Sequence, residues 1–124
     1  MTTTYMADGD LFTCPVEATT SLIGKKWVPT IMMTLADEPY RFEALHSTMA
    51  ASKKVLKQQL DVLIANGLVK NDKQRHDNQV ISTYALTKQG TELMPLIFAM
   101  KKWGTQHLVC DETGSRSEWS RSNV

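Results

Sequence analysis

Apolar residues recur every three to four positions along most of the chain, and at every second position in one central pair of stretches. The pattern predicts helices around a single small hairpin. Pro15 suits a first helical position behind Cys14, and Val16, Leu22 and Ile23, with Thr19, form a short stripe that stops at Gly24. The run WVPTIMMTLAD is apolar at 27, 28, 31, 32 and 35; Pro29 is tolerated in its first turn, and the helix ends near Asp37. Pro39 breaks the chain, residues 40–42 read as a very short strand, and Phe42, Leu45 and Met49 mark a short third helix. Ser52 can cap the next helix, in which Leu56, Leu60, Leu63 and Ile64 recur until Asn66-Gly67 closes it. Residues 68–72 and 80–86 alternate as strands, and the connector KQRHDNQ reads as a hairpin tip with Asp77-Asn78 available for the turn. Thr87 can cap a last helix carrying Leu93, Leu96, Ile97, Met100 and Trp103, with Pro95 arguing for a kink near its start.

This order, helices followed by a short helix, a capped helix and a two-stranded hairpin, is that of a winged helix-turn-helix. The expected fold class is mainly α with a small β-hairpin wing. In such folds one helix enters the DNA major groove and the hairpin reaches the neighbouring backbone or minor groove, which points to the helix at 52–66 and the wing at 70–82. A polar, Thr-rich start predicts a flexible arm over 1–12, a domain over 13–110 and a disordered tail over 111–124.

The 124 residues suffice for one domain, and a charged fraction of 22% with 42% hydrophobic residues is ordinary globular usage. The net charge of +1 hides a segmental distribution. Residues 1–40 hold two basic and five acidic side chains, whereas 41–88 hold eight basic and four acidic ones. The positive segment is the one that carries the capped helix and the wing.

With the leucines of that helix facing inward, Lys53, Lys54, Lys57, Gln58 and Asp61 face outward, and the last four share one face. Lysine bonds guanine acceptors or phosphate, glutamine pairs with the adenine edge, and Arg41 and Ser52 are further candidate DNA contacts. Lys73, Arg75 and His76 place further positive charge on the hairpin. The expected partner is double-stranded DNA. The alternatives are a merely solvated polar face and a winged-helix module that docks proteins without touching DNA.

No apolar run is long enough for a membrane span, the first residues do not read as a signal peptide, and the expected location is the cytoplasm. Cys14 and Cys110 are too few for a disulfide scaffold, and His46, His76 and His107 share no face with each other or with a carboxylate pair, so no metal or cofactor is expected. No Gly-rich phosphate loop or Ser-His-Asp arrangement points to an enzyme. A thiol at a helix start meets the positive end of the dipole, which favours the thiolate, while Glu17 opposes this unless Lys25 or Lys26 folds back. A small buried hydrophobe is the other reading of Cys14. Trp27, Trp103 and the methionines suit a core, a dimer contact or a small hydrophobic effector pocket.

The segments CPVEATTSLIGKKW, RFEAL, SKKVLKQQLDVLIANGLV, YALTKQG and LMPLIFAMKKWG, in this order over about residues 13–104, resemble the HxlR family of winged-helix transcriptional regulators, relatives of the MarR group. The resemblance implies a bacterial or archaeal homodimer on an inverted-repeat operator, with 52–64 as recognition helix and the terminal elements forming the dimer. It also implies that the thiol at Cys14 senses quinones, aldehydes or oxidants; if Cys14 reacts, Cys110 is a candidate resolving partner across the dimer, where the first and last elements would meet, and an inert near-terminal thiol is the other, favoured reading of Cys110. The chain departs from the family in having Gly24-Lys25-Lys26-Trp27 for the common Gly-Gly-Lys-Trp, and Lys57, Gln58, Gln59 and Asp61 where an Arg-rich stretch is frequent. The operator sequence therefore does not transfer.

Overall fold

Helix punctuation decides where the elements fall in the computed structural model, which describes residues 3–110. Pro15 opens α1 (Pro15–Ile23), and α2 (Val28–Asp37) starts behind Trp27, whose left-handed φ of 74° turns the chain sharply. A two-residue strand (Tyr40–Arg41) leads into α3 (Phe42–Ser47). The Ser52 hydroxyl accepts from the Val55 amide at 3.2 Å and starts α4 (Lys53–Ala65), satisfying an amide that has no partner within the helix. The wing strands are Val69–His76 and Gln79–Leu86, and α5 (Lys88–His107) runs on through Pro95.

The amino terminus departs from the expectation. In place of a flexible arm over 1–12, Tyr5–Ala7 pairs antiparallel with Asp10–Phe12 around an Asp8-Gly9 turn. These strands are β1 and β2. Tyr40–Arg41 is then β3, Val69–His76 β4 and Gln79–Leu86 β5, and the second sheet has the order β3-β5-β4, all antiparallel. The expected tail at 111–124 lies outside the described residues.

The chain divides into two compact units after Glu92, within α5. In the first unit the core is built from Val28, Ile31, Met32 and Leu35 of α2, Leu45 of α3, Leu56, Leu60 and Leu63 of α4, and Val69 and Tyr84 of the sheet. Fully burying each such Leu or Ile stabilises by about 1.5–3 kcal/mol, and burying one face of α4 fixes which face remains outside. Val16, read as part of the α1 stripe, is exposed; Ala18 and Ile23 are the buried positions there.

The entrance to α5 is tightly joined to the wing. The Thr87 hydroxyl donates to the Gly67 carbonyl at 2.6 Å and accepts from the Gly90 amide at 3.1 Å, while the Thr87 amide donates to Leu68 O at 3.1 Å. In the second unit, Met94 and Ile97 are buried. Of the residues expected at a dimer contact, Ile97 is buried within the subunit, and the exposed apolar residues on α5 are Leu96, Phe98, Met100 and Trp103. Leu93 is half-buried, and Leu108 lies just past the helix end.

Candidate nucleic-acid interface

The buried leucines turn α4 so that Lys53, Lys54, Lys57, Gln58 and Asp61 are all directed away from the core, as the periodicity requires. Their charges are not equivalent. Lys53 pairs with Glu43 of α3 at 3.1 Å, tying the two helices of the turn together. Lys57 pairs along the helix with Asp61 at 3.0 Å. That hydrogen bond, with a contribution from the Tyr84 hydroxyl of β5, holds the Lys57 ammonium above the ordinary lysine pKa. Among the described residues the side chains of Lys54 and Gln58 have no ion-pair or hydrogen-bond partner, so these two, one turn apart, are the ones whose bonding capacity stays open.

The wing differs from the sequence-based expectation in a way that rearranges its charges. The strands run to His76 and from Gln79, so the connector is only Asp77-Asn78, both at positive φ (49° and 64°), a conformation these residue types tolerate. Lys73, Arg75 and His76 stand on β4 itself. Alternation puts Lys73 and Arg75 on the face that carries Val69 and Asn71, opposite Ser82 and Val80, while His76 lies on the other face with Lys70 and Asp72. His76 is also 3.7 Å from Asp77. The cationic pair of the first face, Lys73 and Arg75, sits beyond the end of the core, next to exposed Val80. Arg41 is exposed at the start of α3, in register with Thr83 of β5.

Cys14 is half-buried at the N-cap of α1, where its carbonyl accepts from the Ala18 amide at 3.1 Å and its side chain makes no capping bond. Neither nearby lysine folds back onto it. Lys25 reaches Asp8 at 3.5 Å, and Lys26 lies 5.6 Å from the Trp27 ring centre. An open apolar cavity of about 410 Å³ lies between β1 and α1, lined by Tyr5, Met6, Pro15, Ala18 and Leu22 among others; Cys14 precedes its lining residue Pro15 but does not line it. Cys110 is exposed and, like Cys14, a free thiol. Among the described residues no group of three His, Cys, Asp or Glu is gathered to hold a metal, and no helix is long and apolar enough to cross a membrane.

Sequence reasoning passed over Tyr84, which reaches Lys57 from the sheet, Glu43, which pairs with Lys53, and Phe98 on α5. Glu43 follows Arg41 by two residues at a helix start, and its acceptor role is legible only once α3 and α4 are placed together.

The same arrangement is found in proteins of known class. The HxlR-like helix-turn-helix family profile matches residues 22–112. The HTH-type transcriptional regulator YodB of Bacillus subtilis (strain 168) is 33% identical over 106 residues, covering 80% of this chain and 94% of YodB. Among solved structures, the redox regulator HypR in its reduced form superposes with a TM-score of 0.69 at 31% identity, covering 74% of this chain and 91% of HypR. The reduced form of YodB from B. subtilis gives 0.68 at 34%, covering 75% and 92%. The winged helix-turn-helix built by α3, α4 and the β4–β5 wing is thus that of the HxlR-like helix-turn-helix transcriptional regulators, and the chain belongs to this family.

Proposed function

We propose that the protein is a homodimeric, sequence-specific DNA-binding regulator acting in the cytoplasm without catalytic chemistry of its own. Each subunit lays α4 in the major groove of one half of an inverted repeat and sets the wing on the flanking backbone or minor groove, with half-sites one helical turn, about 34 Å, apart. The observation that carries this reading is the outer face of α4: capped at Ser52, anchored by three buried leucines, and presenting Lys54 and Gln58 unpaired. Lys73 and Arg75 on one face of the wing supply phosphate contacts, and Lys53, Lys57 and Arg41 add to them. The exposed Leu96, Met100 and Trp103 of α5, with half-buried Leu93, support a dimer contact. The free thiol of Cys14 supports control by a thiol-modifying effector, and the apolar cavity between β1 and α1 supports a small hydrophobic one.

The test is a fluorescence-anisotropy titration of reduced protein against DNA from upstream of its own and neighbouring genes, repeated after a mild thiol oxidant and with Cys14→Ser. The expected result is selective binding to one fragment, changed at least fivefold by oxidant in the wild type and unchanged in Cys14→Ser. Selective binding that ignores oxidant leaves a DNA-binding regulator whose signal is a ligand. Absence of any preferred fragment from an intact dimer would sink the DNA-binding reading in favour of protein docking.

Asp61→Asn gives a second, opposite-signed expectation. It removes a negative charge from the groove-facing surface and frees Lys57, so affinity for arbitrary duplex should rise several-fold and the log-log salt slope steepen by about 0.9. If the variant instead loses discrimination at a single base pair, Asp61 reads a cytosine amine directly.

A further inference from the structure

Beyond the face presented to DNA, three elements that are far apart in sequence converge at the opposite, C-terminal end of α4. Asn66, the C-cap of that helix, uses its one amide for three hydrogen bonds. Its Nδ2 donates to the Val62 carbonyl at 2.8 Å, one of the acceptors near the helix end, and to Asp8 Oδ1 at 3.4 Å. Its Oδ1 accepts from the Asp8 backbone amide at 2.9 Å. The other Asp8 oxygen faces Lys25 Nζ at 3.5 Å, and Lys25 in turn donates to the Ser21 carbonyl near the end of α1 at 3.4 Å. Asp8 reaches this position because it and Gly9 form the left-handed turn of the β1–β2 hairpin, with φ of 50° and 83°.

We propose that Asp8, Asn66 and Lys25 form a clasp through which the amino-terminal hairpin positions the recognition helix, making residues 5–12 part of the DNA-binding apparatus. Asp8 and Asn66 are positioning residues: neither lies on the outer face of α4, and both act through the placement of its last turn. The two bonds between Asp8 and Asn66 are reciprocal, each residue donating and accepting, so the hairpin cannot slide along α4 without breaking both. Lys25 brings the α1–α2 junction into the same point. The hairpin ends at Phe12, two residues before Cys14, so a displacement at the α1 N-cap has a hydrogen-bonded route to α4. The inference rests on the proposed use of α4 as the recognition helix.

The experiment is a charge-repulsion and rescue pair on the full chain. Asn66→Asp sets two carboxylates against each other across the clasp, and adding Asp8→Asn restores a reciprocal amide–carboxylate pair with donor and acceptor exchanged. Two readouts are taken: amide hydrogen exchange of the free protein at 5–12 and 62–67, and affinity for the selected DNA fragment at fixed salt. Asn66→Asp is expected to speed exchange in both segments by at least tenfold and to weaken DNA binding by about tenfold, with the double variant recovering most of both. Asp8→Asn alone keeps both bonds to Asn66 but loses the ion pair with Lys25, so it should weaken affinity and speed exchange at 5–12, each by less than Asn66→Asp does. A merely stabilising cap would change exchange at 62–67 while leaving 5–12 untouched and showing no rescue, and that result overturns the clasp. Coupled exchange and rescue in a protein that selects no DNA fragment would instead bring down the recognition-helix reading, and the positioning role with it.

Discussion

Replacing Lys54 and Arg75 together by Glu should weaken DNA binding by about a thousandfold at roughly 0.1 M salt while leaving the fold and the proposed dimer intact. The expectation rests on the difference between paired and unpaired cations. Lys53 and Lys57 are already committed to Glu43 and Asp61, and reversing either one would disturb the protein as well as the complex. Lys54 and Arg75 make no ion pair among the described residues, so their reversal costs the free protein little. Each reversal takes a cation away from a phosphate and puts a repulsive charge in its place, one on the helix and one on the wing, so the two effects should combine almost additively. The log-log dependence of affinity on salt should also flatten by about 0.9 for each phosphate no longer neutralised. Anisotropy titrations across a salt series, with circular dichroism and sedimentation as controls, read all three quantities. Retained selective binding would mean that α4 and the wing do not face DNA.

Gly90→Ala should produce the largest loss of stability from a single methyl group. A Cβ built there falls on the Leu68 carbonyl oxygen, 3.2 Å from the carbonyl carbon and 3.4 Å from Leu86 Cδ2. The first of these neighbours is backbone, held by the Thr87 amide, and it cannot swing aside as a flexible side chain would. Relief requires moving the start of α5 away from the root of the wing, breaking the Thr87 bonds to Gly67 and Gly90. We expect a cost of about 3 kcal/mol and a drop in Tm of about 10 °C in a thermal melt. Gly104→Ala, whose new methyl group would meet only the Leu108 side chain at 3.8 Å, should be neutral or slightly stabilising. Equal melting temperatures for the two variants would contradict a close-packed junction at Gly90.

Helices whose ends are marked by a strong local signal were legible from sequence. Pro15, Ser52 and Asn66-Gly67 act within a turn of where they stand, so α1 and α4 fall where the periodicity puts them. The outer face of α4 was equally legible, because burying Leu56, Leu60 and Leu63 leaves only one way to orient the rest. The amino-terminal hairpin was missed although its signal was present. Asp8-Gly9 between YMA and DLF is a favoured two-residue turn, overshadowed by the polar composition around it. The outer half of β4 is illegible in the sequence because Lys73 to His76 are all polar, and a solvated strand shows no alternation, so the connector is shorter than the pattern implies. Pairings such as Lys53 with Glu43 and Asn66 with Asp8 join distant positions and follow only from tertiary placement.

The two-residue connector of the wing constrains how this protein and its relatives can diverge. Because β4 and β5 are fully paired up to Asp77-Asn78, losing one residue from β4 would send every side chain beyond that point to the opposite face. Lys73 and Arg75 would then exchange places with Gln74 and His76. A wing can therefore lengthen or shorten without changing which face carries its charges only by two residues per strand. In lineages of this fold, insertions within the wing should accordingly come in multiples of four, whereas insertions of odd size should coincide with a changed distribution of arginine and lysine along β4.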